Sequence, residues 1–146
     1  MNILVLYQSR GGHTRIAAEA IAQAAHDLNH TVNVNSITEV CKEVVESADV
    51  LFVGTWVQGF VLFGVKPAGA ELWVPALPSL KGKPVGIFCT YAFNPRSSLS
   101  TLGTMLNARG AMIVGQRAFH RSHPREGSDS FVQSVLQQAE LALHRM

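Results

Sequence analysis

Ile3-Leu4-Val5-Leu6-Tyr7 leads, one residue later, into Ser9-Arg10-Gly11-Gly12-His13-Thr14, and a helical pattern begins at once. An apolar run of this kind reads as a buried strand, so the glycines mark a turn between a strand and a helix N-terminus. Backbone N–H groups in such a turn and in the first helical turn lack intrahelical partners, and the helix dipole favours an anion beside them. Gly11 and Gly12 let the backbone approach a phosphate closely, while Ser9, His13 and Thr14 can add side-chain donors. No Gly-Lys-Ser/Thr follows at the spacing of an ATPase phosphate loop, and the order is not G-x-G-x-x-G. Two readings stand: a phosphate cradle, which we favour, or an ordinary strand-to-helix turn that needs glycine.

Beyond the turn, helices and strands alternate. Ile16, Ala20, Ile21, Ala24 and Leu28 recur at helical spacing, so one face of an alanine-rich helix is expected to pack on a sheet. Residues 31–37 alternate and are rich in valine, as in a strand near an edge. Thr38 is expected to cap a short helix carrying Val40, Val44 and Val45. Asp49 to Gly54 reads as a buried strand ending at glycine, and Pro84 to Thr90 holds another. A helix follows Asn94-Pro95 with Leu99, Leu102 and Leu106 inward, and it ends near Gly110. Ala111 to Gly115 is the last strand, and residues 129–143 form a closing amphipathic helix with Phe131, Val135, Leu136, Ala139 and Leu143 on its inner face. Five strands alternating with helices imply right-handed crossovers and a doubly wound α/β domain over 1–146, its parallel sheet covered on both faces.

Residues 57–82 carry the weakest signal. Val57-Gln58-Gly59-Phe60-Val61-Leu62-Phe63-Gly64 follows neither period, and Pro67, Pro75 and Pro78 limit any long helix. A short helix is expected around Ala68 to Trp73, and Lys81-Gly82-Lys83-Pro84 reads as a turn into the next strand. Phe60-Val61-Leu62-Phe63 either packs under that helix, the favoured reading, or forms a partner or dimer surface.

Composition narrows the function classes. Charged residues are only 15% of the 146, against roughly 25% in globular domains generally. The net charge of +2 is uneven: residues 1–80 carry four Lys/Arg against seven Asp/Glu, giving −3, and residues 81–146 carry eight against three, giving +5. Cys41 and Cys89 suggest no disulfide framework, which suits a reducing cytoplasm. No signal sequence opens the chain and no stretch approaches the roughly 20 apolar residues of a membrane span, so a soluble protein is expected. His13, His120 and His123 do not have the spacing of a zinc site, and no nucleic-acid motif accompanies the basic residues.

In a doubly wound sheet, ligands bind where the loops at the carboxyl ends of the central strands meet. Here those loops bring the phosphate turn together with Thr55-Trp56 and with Thr90-Tyr91-Ala92-Phe93-Asn94. A phosphate cradle facing flat aromatic surfaces suits a planar ring tethered to a phosphate, and offset stacking adds about 0.5–1.5 kcal/mol. FMN fits that combination better than ATP or NAD, which need a lysine-and-magnesium apparatus or a ribose-binding acid.

These residues make the chain resemble a flavodoxin. The family's phosphate loop reads roughly Ser/Thr-x-Thr-Gly-x-Thr after the first strand, and Ser9-Arg10-Gly11-Gly12-His13-Thr14 is similar to it, with Gly11 in place of a threonine. Thr55-Trp56 resembles the loop in which threonine reaches phosphate and tryptophan covers the flavin, and Tyr91 sits where the second aromatic is usually found. The resemblance implies a short-chain flavodoxin-like three-layer sandwich with strand order 2-1-3-4-5, and bound FMN. It implies that Ser9, Arg10, Gly11, Gly12, His13, Thr14 and Thr55 surround the phosphate and that Trp56 and Tyr91 flank the ring. Backbone of Val57, Gln58 and Gly59, and of Thr90, Ala92, Phe93 and Asn94, would then contact the ring or its polar edge.

Some positions depart from the family pattern. Val57-Gln58-Gly59-Phe60 stands where acidic residues are usual, and Arg10, Arg15 and Arg96 surround the expected site. Positive charge stabilises a reduced, anionic flavin, so a less negative potential is expected. Val57 replaces a glycine whose peptide flips toward the reduced ring in many relatives, and a β-branched residue resists positive φ; Gly59 is the alternative provider. The basic stretch from Arg117 to Arg125 is either a solvated connection or a docking surface for an acidic partner or a phosphate-bearing nicotinamide. Three functions stand: an electron carrier between a reductase and an acceptor, an enzyme resembling NAD(P)H:quinone reductases, and a binding domain without cofactor. Gly12-His13-Thr14 is similar to the phosphate loop of the quinone reductases, but their dimer-building insertions are not in this chain. The carrier is favoured, with no catalytic residue and with redox proteins as partners.

Overall fold

The computed structural model describes residues 1–58, 66–67, 70–95 and 97–144. The elements run β1 (Asn2–Tyr7), α1 (His13–Asp27), β2 (Thr31–Ser36), α2 (Lys42–Ser47), β3 (Val50–Gln58), β4 (Lys66–Pro67), α3 (Ala70–Trp73), β5 (Pro84–Tyr91), α4 (Ser98–Asn107), β6 (Met112–His120) and α5 (Ser128–His144). The main strands lie in the order β2-β1-β3-β5-β6, all parallel, which is the expected 2-1-3-4-5 arrangement. The two-residue β4 adds an antiparallel pairing to the end of β3 that the sequence pattern did not disclose.

Alternate residues of the central strands serve opposite faces. Ile3, Val5, Val50, Phe52 and Phe88 pack with α1 and α5, whereas Leu4, Leu6, Leu51, Val53, Val85 and Ile87 pack with Val45, Ala70, Val74, Leu102 and Leu106. Both faces of the sheet are thus covered, as its unbroken apolar runs require. In α1 the inner face is Thr14, Ala17, Ala18, Ile21, Ala22, Ala24 and Ala25. Leu28, expected inward, lies past the helix end and is exposed.

Several expected boundaries move. Strand β3 does not stop at Gly54 but continues through Thr55 and Trp56, because these residues find partners in Cys89 and Thr90 of β5. Likewise β6 does not end at Gly115. Arg117, Ala118, Phe119 and His120 pair with Phe88, Cys89, Thr90 and Tyr91, so the first half of the supposed basic loop is strand. Thr38 does not cap α2. The helix starts after Cys41 without a side-chain cap, and the Thr38 hydroxyl pairs with Ser36 Oγ at 3.0 Å. The third helix is only Ala70–Trp73, and Phe60-Val61-Leu62-Phe63 lies outside the described residues.

Candidate functional site

Strand β1 ends at Tyr7, but β3, β5 and β6 run on to Gln58, Tyr91 and His120. This leaves a step at the carboxyl end of the sheet, where the strand order reverses between β1 and β3. The Gln8 N–H bonds Gly54 O at 3.0 Å, and beyond it Thr55 and Trp56 pair with Cys89 and Thr90 of β5. Residues 8–12 therefore turn into α1 beside the projecting ends of two strands.

Gly12 is the N-cap of α1, with φ 88° and ψ −10°. A side chain in that left-handed conformation costs about 1–2 kcal/mol, so the turn needs glycine for its shape. The Gly12 N–H bonds Ser9 Oγ at 3.2 Å, and Gly12 O accepts from Ile16 N–H at 3.0 Å. Among the described residues no side chain caps the helix, and a Cβ built on Gly12 meets nothing within 4 Å. The first-turn N–H groups of this 15-residue helix thus have no capping side chain among the described residues. Gly11 and His13 are exposed beside them.

Thr14 is buried, and its Oγ1 lies 2.7 Å from Thr90 Oγ1 of β5. One hydroxyl donates to the other, which leaves the second hydroxyl proton of the pair for another acceptor. Thr55 is also fully buried. Trp56 is half-buried at the step, with the Arg10 guanidinium 5.8 Å from its ring centroid. Arg15 does not join it. Its Nε bonds Glu19 Oε1 at 2.9 Å along the outer face of α1, which raises its pKa above the ordinary value and balances its charge. Arg96 lies outside the described residues, so of the three arginines expected around the site the structure places Arg10 there.

At the other side, Tyr91 ends β5 and is half-buried, with its ring edge-on to His120 at 5.2 Å. Ala92 follows it, then the exposed Asn94 and Phe93, the latter 77% exposed. Val57 and Gln58 are extended backbone opposite Pro67 and Lys66, and Gly59 lies outside the described residues. Donors for an anion at the α1 end and flat rings at the β3 and β5 ends fit a phosphorylated planar ligand.

A family model described as the flavodoxin domain matches residues 4–112. The chain belongs to the flavodoxin family. Its fold is similar to that of the two-electron reduced flavodoxin of Megasphaera elsdenii, with 22% identity over 94% of this chain and 97% of the other, at a TM-score of 0.76. Oxidised flavodoxin 2 of Bacillus cereus gives 20% identity, 94% and 99% coverage and a TM-score of 0.75. A flavodoxin from the domain Archaea gives 20%, 99% and 100%, with a TM-score of 0.72. No curated protein is matched by the sequence. As a flavodoxin, the protein is of the flavin-binding, electron-transferring kind that works with redox partners.

Other features of this flavodoxin lie apart from the step. A cleft of about 660 Å³ opens between α2 and residues 73–79, walled by Ile37, Val40, Trp73 and Leu77 with Lys42 and Glu46 beside them. None of the residues read as phosphate or ring contacts lines it. Among the described residues, no group of three or more His, Cys, Asp or Glu side chains could hold a metal ion, and no helix is long and apolar enough to cross a membrane.

Proposed function

We propose that the protein binds FMN at the step between β1 and β3 and carries electrons between a reductase and an acceptor protein. The observation that supports this most is the uncapped N-terminus of α1, opened by left-handed Gly12, beside the projecting Trp56 of β3. Ser9, Arg10, Gly11, Gly12, His13, Thr14 and Thr55 would hold the phosphate. Trp56 and Tyr91 would flank the ring, with backbone of Val57 to Gly59 and of Thr90 to Asn94 along it. When bound, the flavin supplies one- and two-electron chemistry; the chain binds it, orients it and sets the charge around it. The Arg10 guanidinium contributes positive charge there, screened by its exposure. The free thiols Cys41 and Cys89 favour a reducing compartment such as the cytoplasm.

Titration of the apo-protein with FMN and with riboflavin, followed by flavin fluorescence, tests the site. Tight FMN binding with much weaker riboflavin binding is the expected result, and equal affinity would remove the phosphate from the α1 turn. Anaerobic stopped-flow with NADH and NADPH, with and without a quinone, then tests the role. Slow direct reduction that becomes fast when a flavodoxin reductase is added is expected of a carrier. Rapid direct reduction with quinone turnover would make the protein an oxidoreductase and direct attention to Arg121, His123 and Arg125 as a nicotinamide site.

A further inference from the structure

His120 links two segments that the sequence pattern leaves unconnected. It is the last residue of β6 and the register partner of Tyr91, and the Arg121 N–H bonds Tyr91 O at 2.8 Å. The chain then turns, closed by the His123 N–H on His120 O at 2.9 Å. Inside this turn the Ser122 backbone N–H points at His120 Nδ1 from 3.1 Å. A backbone N–H can only donate, so Nδ1 is the acceptor and carries no proton. The neutral ring therefore holds its proton on Nε2, and Nε2 lies 2.9 Å from Ala92 O, which can only accept. The two bonds specify one tautomer. The same ring stands edge-on to Tyr91 at 82°.

We propose that His120 is a positioning residue for the candidate flavin site: as the Nε2–H tautomer it ties the carbonyl of Ala92 to the end of β6 and holds the Tyr91 ring in place. Ala92 immediately precedes the exposed Phe93, so this bond restrains residues 91–93 at the point where they leave the sheet. The consequence for flavin rests on the reading of Tyr91 as a ring-flanking residue; the consequence for the order of the loop does not.

Two conservative variants separate the bond to Ala92 from the local turn. His120→Asn keeps an acceptor that can take the Ser122 N–H in an Asx-type turn but is too short to reach Ala92. His120→Gln keeps a longer side chain with an N–H donor at its end. In the apo-protein, nitrogen NMR should show His120 protonated on Nε2 alone, and exchange of the Arg121 amide, which bonds Tyr91 O, should accelerate in His120→Asn and His120→Ala but not in His120→Gln. With FMN, losing one such bond should weaken binding about fivefold to tenfold in His120→Asn and His120→Ala and alter the visible circular dichroism of the flavin, with His120→Gln within about twofold of the wild type. Wild-type behaviour of His120→Asn in the exchange experiment, or a proton found on Nδ1, would overturn the proposal. So would a His120→Gln variant as impaired as His120→Ala. Failure of the wild-type protein to bind FMN would instead overturn the flavin reading, while the exchange data would still decide whether His120 restrains the loop.

Discussion

The two faces of the sheet are filled by different means. The α1/α5 face combines small residues with large rings. Ala17, Ala18, Ala24, Ala25 and Ala139 are buried there beside Phe52, Phe88, Phe119 and Phe131. Phe131 meets Phe52 and Phe119 edge-on at 5.6 and 6.0 Å, and Phe88 meets Phe119 at 6.3 Å. The rings fit because the strand lacks a side chain beneath them: a Cβ on Gly54 would stand 2.3 Å from the Phe88 ring. The other face is aliphatic among its described buried residues, which are Leu, Val, Ile and Ala. Rigid rings against missing side chains admit few rearrangements, whereas branched aliphatic chains can change rotamer. The turn into α1 sits on the less adjustable face, since α1 is anchored there through its alanines.

The same substitution made on each face is the most direct way to break this contrast. Gly54→Ala forces a methyl group into the Phe88 ring and should cost about 3 kcal/mol or more in denaturant unfolding. A loss below about 1 kcal/mol would mean that the ring face yields as readily as the other. Thr14→Val tests whether the start of α1 is tied to that face by the Thr14 hydroxyl. It leaves the buried Thr90 hydroxyl without its partner, so stability should fall by about 1–3 kcal/mol even without flavin. An unchanged midpoint would show that the pair contributes nothing. Gly103→Ala, in α4 on the aliphatic face, places a methyl 3.3 Å from the flexible end of Ile87. Helix propensity favours alanine there, so the variant should range from neutral to about 1 kcal/mol more stable. A loss as large as that of Gly54→Ala would erase the distinction between the faces.

The smallest effect concerns pH. Burial, with repulsion from the nearby N-terminal ammonium second, lowers the pKa of His30 below its ordinary value. A group whose protonated form is disfavoured in the folded state binds more protons when unfolded. Its contribution is therefore complete above the unfolded value of about 6.5 and is lost as pH falls below it, down through the lower folded value. His30→Gln should flatten the decline in melting temperature between roughly pH 7 and 5. An unchanged slope would assign that decline to other groups.

The sequence discloses the parallel doubly wound sheet through alternation, its strand order through the family resemblance and the α1 turn through its glycines, but not which face each strand residue serves. An unbroken run such as Ile3-Leu4-Val5-Leu6 is apolar on both sides, so its division between two cores becomes visible only in the fold. Gly54 misled in a specific way. A glycine at the end of an apolar run resembles a stop, yet here it makes room for Phe88 while the strand continues. Arg117 and His120 misled because charge resembles loop; β6 is an edge strand, where charged residues are tolerated. The role of His120 had no sequence signal, because it depends on the register that sets it opposite Tyr91. Arg15 was expected at the site on proximity alone, and its spacing to Glu19 of one helical turn was the available clue to its actual partner.

The two cysteines give the molecule a built-in clock. Cys41 is exposed at the start of α2, whereas burial in β5 pushes the Cys89 thiol up to about 12. Only the thiolate attacks alkylating reagents at an appreciable rate. One labelling trace should therefore have an early amplitude from Cys41 that counts molecules and a late one from Cys89 that counts excursions of the central strands into solvent. Any ligand that steadies the fold would lengthen the second interval and leave the first alone, with no dye, tag or chromophore added to report it.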